Sequence, residues 1–184
     1  MKILLISASS RLNGNSDILA DAFTKGAVRS GNKVTRISLA SMRINPCSAC
    51  DLCASNGNPK GCPCVQNDDM AQIYKLVNEN ELVVFAMPLY FYTFPAKLKA
   101  LIDRFYGYYM TGGYPKREAM LLAVAADDAP NTFDALKLTY GQIMGHLEWK
   151  DRGTYFVKGV MAKGDINSRA EVLDDAEKLG ASLT

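Results

Sequence analysis

MKILLISASSRLNGNS, residues 1–16, divides into three physically distinct pieces. Ile3, Leu4, Leu5 and Ile6 form a continuous apolar run, the pattern of a strand buried on both faces of a parallel sheet. Ser7, Ser9, Ser10, Arg11, Asn13, Gly14, Asn15 and Ser16 then turn the chain polar. Ile18, Leu19, Ala22 and Phe23 follow at helical spacing. A strand, a loop of small hydroxyl and amide residues, and a helix N-terminus make an anion site. The free N–H groups of the first turn face the ligand, and the helix dipole favours negative charge there. Ser9 and Ser16 add hydroxyl donors, and Arg11, Asn13 and Asn15 stand in the same loop. The expected ligand is the terminal phosphate of a mononucleotide cofactor. No Lys precedes Ser16, which disfavours a nucleotide-hydrolase P-loop, and there is no G-x-G-x-x-G fingerprint. The competing reading is a plain polar turn capped by Asn15 or Ser16.

The 184 residues suffice for one domain, residues 1–184, with a sizeable core. Hydrophobic residues at 48% and charged residues at 22% are ordinary for a globular protein. A net charge of +2, with no basic cluster interleaved with aromatics, argues against a nucleic-acid partner. The start reads straight into a strand without the phases of a signal peptide, and no apolar run has membrane-spanning length. The expectation is a cytoplasmic protein without membrane association. Its five cysteines all lie between Cys47 and Cys64, and they read as ligands or free thiols rather than a disulfide frame.

Further along, a helix from about Ser16 to Arg29 ends at Ser30-Gly31-Asn32, and Lys33 to Leu39 alternates like a strand near a sheet edge. Residues 40–67 form a long, cysteine-rich segment of no clear period, a length that inside a compact domain usually signals function. Asp68 or Asp69 then caps a helix with Met70, Ile73, Tyr74 and Val77 on one face. Glu81 to Met87 is a buried strand, followed by an aromatic loop and a helix from about Pro95 to Tyr106, with Pro95 in the first helical position. Ala119 to Ala126, a helix through Leu136 and Ile143, a strand from Thr154, and a helix from Ala170 to Leu183 complete the pattern. Five strands alternating with helices give a parallel α/β sheet with right-handed crossovers. The most uniformly apolar strands are the first, third and fourth, which suggests the order 2-1-3-4-5. The ligand crevice then lies where the loops after strands 1 and 3 diverge, a location borrowed from flavodoxin, the known FMN protein of this order.

Three stretches carry a resemblance. Ser9 to Ser16 looks like the phosphate loop of the NADPH-dependent FMN reductase-like branch of the flavodoxin-like proteins, with Ala8 and Ser10 where Gly and Pro are commoner. Met87-Pro88-Leu89-Tyr90-Phe91, with Lys97, Lys99, Asp103 and Arg104 downstream, resembles that branch's isoalloxazine loop and following helix. Cys47-x-x-Cys50-x-x-Cys53 with Cys64 and Asp68-Asp69-Met70 resembles its iron–sulfur flavoprotein subgroup. The resemblance implies a flavodoxin-like three-layer sandwich, FMN as cofactor, oxidoreductase activity with NAD(P)H as a transient substrate, and a homodimer or homotetramer with the flavin near a subunit boundary. The cofactor residues it implies are Ser9, Arg11, Asn13, Asn15, Ser16, Pro88, Leu89, Tyr90, Phe91, Ala126 and Asp127. Ala126-Asp127-Asp128-Ala129 lacks the glycines usual beside the flavin's polar edge, and two acids there sit awkwardly beside an anionic reduced flavin.

The residues themselves suit a flavin. A planar tricycle wants apolar and aromatic walls with backbone groups at its polar edge, which Pro88 to Phe91 can supply; the alternative is ordinary core or interface aromatics. Hydride transfer to a flavin needs positioning rather than an acid–base pair, so no catalytic side chain is expected, and the single histidine, His146, reads as structural. Cys47, Cys50 and Cys53 have the spacing that wraps three corners of a 4Fe–4S cube. Either Cys62 or Cys64 can be the fourth ligand; alignment with the subgroup favours Cys64. Zinc and uncomplexed thiols are the alternatives.

The expected function is an FMN-dependent oxidoreductase fed by NAD(P)H or a reduced carrier. Its acceptor is a quinone, free flavin or nitroaromatic, or, through a cluster, a one-electron partner such as ferredoxin. A flavodoxin-type electron carrier and a thiol-dependent metal-sensing module are the rival classes.

Overall fold

In the computed structural model, which describes residues 1–55 and 62–183, the opening run becomes strand β1 (Lys2–Ser7), buried at every position after Lys2. Then come α1 (Asn15–Arg29), β2 (Lys33–Ser38), the short α2 (Leu52–Ser55), α3 (Met70–Glu79) and β3 (Leu82–Pro88). They are followed by α4 (Ala96–Arg104), α5 (Tyr106–Met110), β4 (Glu118–Val124), α6 (Asp134–Leu147), β5 (Lys150–Val157) and α7 (Ala170–Ala181). The five strands pair in parallel in the order β2-β1-β3-β4-β5, the flavodoxin-like arrangement expected. Residues 56–61 of the cysteine-rich loop lie outside the described residues.

The pleat sorts each central strand between two cores. Leu4 and Ile6 of β1, with Val83, Phe85 and Met87 of β3, pack against α3, α4 and α6. Ile3 and Leu5, with Leu82, Val84 and Ala86, pack against α1 and α7. Met70, Ile73, Tyr74 and Val77 are the buried residues of α3, matching the apolar stripe in the sequence. On the other layer, α1 and α7 meet backbone to backbone. A Cβ on Gly26 would lie 1.8 Å from the Glu177 carbonyl oxygen, and one on Gly180 would lie 2.0 Å from that of Phe23. The helix carrying the first loop is therefore seated directly on the last helix.

Among the boundaries that differ from the sequence expectation, three have a clear physical cause. The helix expected over 95–106 stops at Arg104, where the Phe105 N–H bonds back to Ile102 in a tighter turn, and α5 begins anew. Pro95 stands one position before α4 rather than in its first turn. Strand β5 begins at Lys150, because the polar Lys150 and Asp151 pair with Glu118 and Ala119 of β4 ahead of a register shift at Ala119/Leu121, close to Gly153 with φ of 107°. Among the described residues, no helix is long and apolar enough to cross a membrane.

Candidate functional site

In a parallel sheet all the loops that leave the carboxyl ends of the strands share one rim. Here the loops after β1, β3, β4 and β5 converge on a cleft of about 270 Å³. Ser9, Arg11, Gly14, Asn15 and Ser16 line it from the first loop, Pro88, Leu89 and Tyr90 from the third, and Ala126 from the fourth. Helix α1 starts with Gly14 as its N-cap, without a side-chain cap, so the capped polar turn with Asn15 or Ser16 as cap is not what forms. The Asn15 and Ser16 N–H groups and the Ser16 hydroxyl, on a residue 2% exposed, have no protein partner among the described residues. That is a cradle of donors awaiting an acceptor, and it fits a phosphate. A Cβ on Gly14 would crowd the Arg11 carbonyl oxygen at 3.1 Å and Ser9 Oγ at 3.3 Å, so a side chain there would push the loop open by a few tenths of an ångström.

Not every expected side chain is free for a ligand. Ser9 Oγ donates to the Arg11 carbonyl at 2.7 Å and accepts the Arg11 N–H at 3.1 Å, holding its own loop. Asn15 spends its side chain on the loop after β5. Its Nδ2 donates to the Ala162 carbonyl at 2.8 Å, and its Oδ1 accepts the N–H groups of Gly164 and Ile166. Asn15 thus offers an anion its backbone N–H. Asn13, Phe91 and Asp127 do not line the cleft. Asn13 takes φ of 55° in the turn ahead of it, and Phe91, at φ 47°, is 98% exposed. The Asp127 carboxylate accepts from Thr132 Oγ1 at 2.7 Å, which holds its pKa below the usual range and keeps it turned onto its own loop. Asp127, one of the two acids expected to trouble a flavin, is thereby drawn aside, while Ala126 remains at the wall.

Val160, Met161 and Lys163 complete the cleft, and the sequence reading missed them. The signal available was the glycine pair Gly159 and Gly164, which bracket a turn at φ of 70° and 89°. Lys163 brings a cation to the end where the α1 N-terminus lies.

A second cleft opens beneath the cysteine loop. Cys47, Cys50, Cys53 and Cys64 all line it, with Arg104, Tyr106 and Gly107. Cys62 does not line it; it is buried in the core on the α3 side of the sheet. Among the described residues no three His, Cys, Asp or Glu side chains converge closely enough to hold a single metal ion. Four thiols around one cleft are a donor set that fits an iron–sulfur cluster and a thiolate zinc site alike. The Cys50 thiol is pushed down by the Leu52 N–H and the Ser48 side chain, favouring thiolate, whereas burial pushes Cys53 and Cys62 up.

The base of this loop is held by ionic contacts. Lys97 Nζ donates to the carbonyls of Leu39 and Met42 at 2.8 and 2.9 Å. Asp68 pairs with Arg104, both side chains essentially without exposure, and Asp68 also accepts the N–H groups of Asn45 at 2.9 Å and Met70 at 3.2 Å. Burial alone would raise the Asp68 carboxyl. The Arg104 guanidinium and those N–H groups outweigh it and hold the pKa below the usual carboxylate range. Asp69 occupies the N-cap position of α3, while the Met70 N–H is taken by its neighbour Asp68. Lys99 pairs with Asp103 on the exposed face of α4 at 2.5 Å. His146 meets Tyr114 Oη through Nε2 at 3.0 Å, away from both clefts.

Comparison with known proteins bears on both clefts. A model of the family described as NADPH-dependent FMN reductase matches residues 1–145. An iron-sulfur flavoprotein of Archaeoglobus fulgidus is 36% identical over 108 residues, covering 59% of this chain and 47% of that protein. One of Methanocaldococcus jannaschii is 35% identical over 104 residues, covering 56% and 51%. The chain thus spans about half the length of the iron-sulfur flavoproteins it matches. Among solved structures, an NAD(P)H:quinone oxidoreductase from Methanothermobacter marburgensis superposes with a TM-score of 0.77 at 21% identity, over 98% of this chain and 96% of that one. An FMN-dependent NADH-azoreductase from Bacillus anthracis, in complex with FMN, gives 0.73 at 15% identity, over 98% of each chain. At such identities the likeness concerns the fold.

Proposed function

We propose a function from one premise: the chain belongs to the NADPH-dependent FMN reductase family. Residues 1–184 act as one FMN-binding unit, an oxidoreductase that draws electrons from NAD(P)H or a reduced carrier. It delivers them to a quinone, free flavin or nitroaromatic, or through a 4Fe–4S cluster on Cys47, Cys50, Cys53 and Cys64 to a one-electron partner such as ferredoxin. The observation that carries this reading is the convergence of four loops on a cleft whose end presents the unpaired N–H groups of α1.

Bound FMN would supply the two-electron chemistry, accepting hydride and releasing electrons singly or in pairs. The chain's own part is to bind and orient. The N–H groups of Asn15 and Ser16, the Ser16 hydroxyl, Arg11 and Lys163 receive the phosphate, at the helix end where negative charge is stabilised. Pro88, Leu89 and Tyr90 form the apolar wall. The N–H groups of Leu89 and Tyr90 are spent on Val124 and Thr93, so this loop is stiff before any ligand arrives. Tyr90, Phe91 and Tyr92 are exposed at the rim, with Phe91 and Tyr92 at positive φ. An aromatic rim of this kind supports a second copy of the chain meeting the cleft.

Anaerobic purification with visible spectra, iron and sulfide analysis and FMN titration tests the reading. Yellow protein that takes up FMN and oxidises NAD(P)H is expected, and Ser16→Glu should abolish flavin uptake. Colourless protein indifferent to FMN would refute it. Flavin uptake without NAD(P)H oxidation would instead identify a flavodoxin-type carrier.

A further inference from the structure

Arg104 is buried to an extent that its one carboxylate partner does not explain. Its side chain is 1% exposed, and among the described residues only Nη1 has hydrogen-bond partners: Asp68, and the Asn45 carbonyl at 3.3 Å. Nε and Nη2 are buried with no hydrogen-bond partner among the described residues. A guanidinium spreads its charge over three nitrogens and presents five N–H donors in a fixed fork, so an arginine kept only to pair with Asp68 leaves most of that fork unspent. Buried donors without acceptors are costly, and their retention calls for a reason such as a bound ion or a redox role.

The acceptor can be identified from the surroundings. Arg104 lines the cleft whose rim carries the sulfurs of Cys47, Cys50, Cys53 and Cys64. Cys64 is kept there by its neighbour: Pro63 packs so closely on α5 that a Cβ on Gly107 would lie 2.9 Å from Pro63 Cβ and 2.8 Å from Tyr74 Oη. The Tyr74 hydroxyl in turn donates to the Arg104 carbonyl, so the arginine and the Cys62-Pro63-Cys64 segment share one rigid support.

We propose that Arg104 is a positioning residue for the cysteine cleft, the three N–H groups on its free Nε and Nη2 being the buried donors for the anionic sulfur that the cleft collects. The assignment rests on the cluster reading of the four cysteines and goes beyond it. A cationic donor facing cluster sulfur stabilises the reduced, more negative form and raises the reduction potential. Asp68 orients the fork and neutralises part of its charge, which keeps the cation buried before any cluster is present.

The test uses protein reconstituted anaerobically with ferrous iron and sulfide, followed by a redox titration monitored by electron paramagnetic resonance. Arg104→Lys keeps a charge but loses the fork. The double variant Asp68→Asn with Arg104→Gln keeps a neutral pair of similar volume, so it tests the charge even if a single variant fails to fold. Expected are a cluster midpoint lower in both than in the unmodified protein, further lowered in the double variant, with FMN affinity within about twofold of the unmodified protein. Loss of iron and sulfide from the variants while they still bind FMN also supports the assignment. Midpoints and iron content identical to the unmodified protein would overturn it. Failure of the unmodified protein to take up iron and sulfide would overturn instead the cysteine reading beneath it.

Discussion

Asn15 Oδ1 accepts the Gly164 N–H at 3.0 Å across 149 positions of chain, so the first loop of the protein positions the last loop of its cleft. The same side chain donates to the Ala162 carbonyl at 2.8 Å. Lys163 lies between those two partners. Its approach to the cleft is therefore set by a residue at the start of α1.

Asn15→Ala should cost about 2–3 kcal/mol, since it strands buried N–H and carbonyl groups rather than removing both partners of a bond. Urea denaturation without flavin measures that loss. Flavin titration should show a further fall in affinity as the loop after β5 comes free. An unchanged denaturation midpoint would contradict the clamp.

Lys163→Ala should weaken FMN binding by about tenfold, roughly 1.4 kcal/mol, the size of one charge-assisted contact. Riboflavin, which lacks the phosphate, should bind the variant and the unmodified protein alike. Fluorescence titrations with the two ligands separate these outcomes, and equal losses for both would place the lysine at another part of the flavin.

The glycines predict opposite signs. Gly26→Ala or Gly180→Ala drives a methyl into the backbone of the partner helix and should cost about 3 kcal/mol or more, with a large drop in Tm. Gly141, inside α6, has nothing within 4 Å of an added Cβ. Gly141→Ala should therefore stabilise by about 0.5–1 kcal/mol through lower unfolded-chain entropy and better helix propensity. Thermal denaturation of the three variants reads both effects.

Acid should act through Asp68. Its folded pKa is depressed, so its contribution is fully present above the unfolded value of about 4 and drains away as the pH falls through the lower folded value. Asp68→Asn should be less stable at neutral pH by about 3–5 kcal/mol, because it leaves Arg104 buried without a counter-charge. Below pH 4 its stability should fall less steeply than that of the unmodified protein. Denaturation midpoints between pH 2 and 7 measure the difference in slope.

Much of the fold was legible because its signals are local. Ile3 to Ile6, Leu82 to Met87 and the α3 stripe each announce themselves within a single element, and the strand order follows from which runs are apolar throughout. The cradle of unpaired donors at the start of α1 was legible for the same reason, since a loop and the helix it opens are contiguous. What escaped notice depends on residues far apart in sequence. Asn15 reads as a ligand until Gly164 and Ile166 are seen to take its side chain, and Lys163 looks like any surface lysine. The pair of Asp68 with Arg104 spans 36 positions, and no periodicity marks it. Gly26 and Gly180 weaken two helix patterns until the helices are seen touching.

Because all five strands run the same way, the molecule has two rims of unequal tolerance. The segments that leave strands carry the cradle, the aromatic wall and the thiols. Those that enter them are short joints such as Ser30 to Asn32, Asn80 to Glu81 and Glu148 to Trp149. Grafted peptides, fluorophores or attachment points belong on the joint-bearing rim, at an exposed spot such as Ser30, with Gly31 kept because its φ of 84° strains any side chain, and the working face stays turned outward.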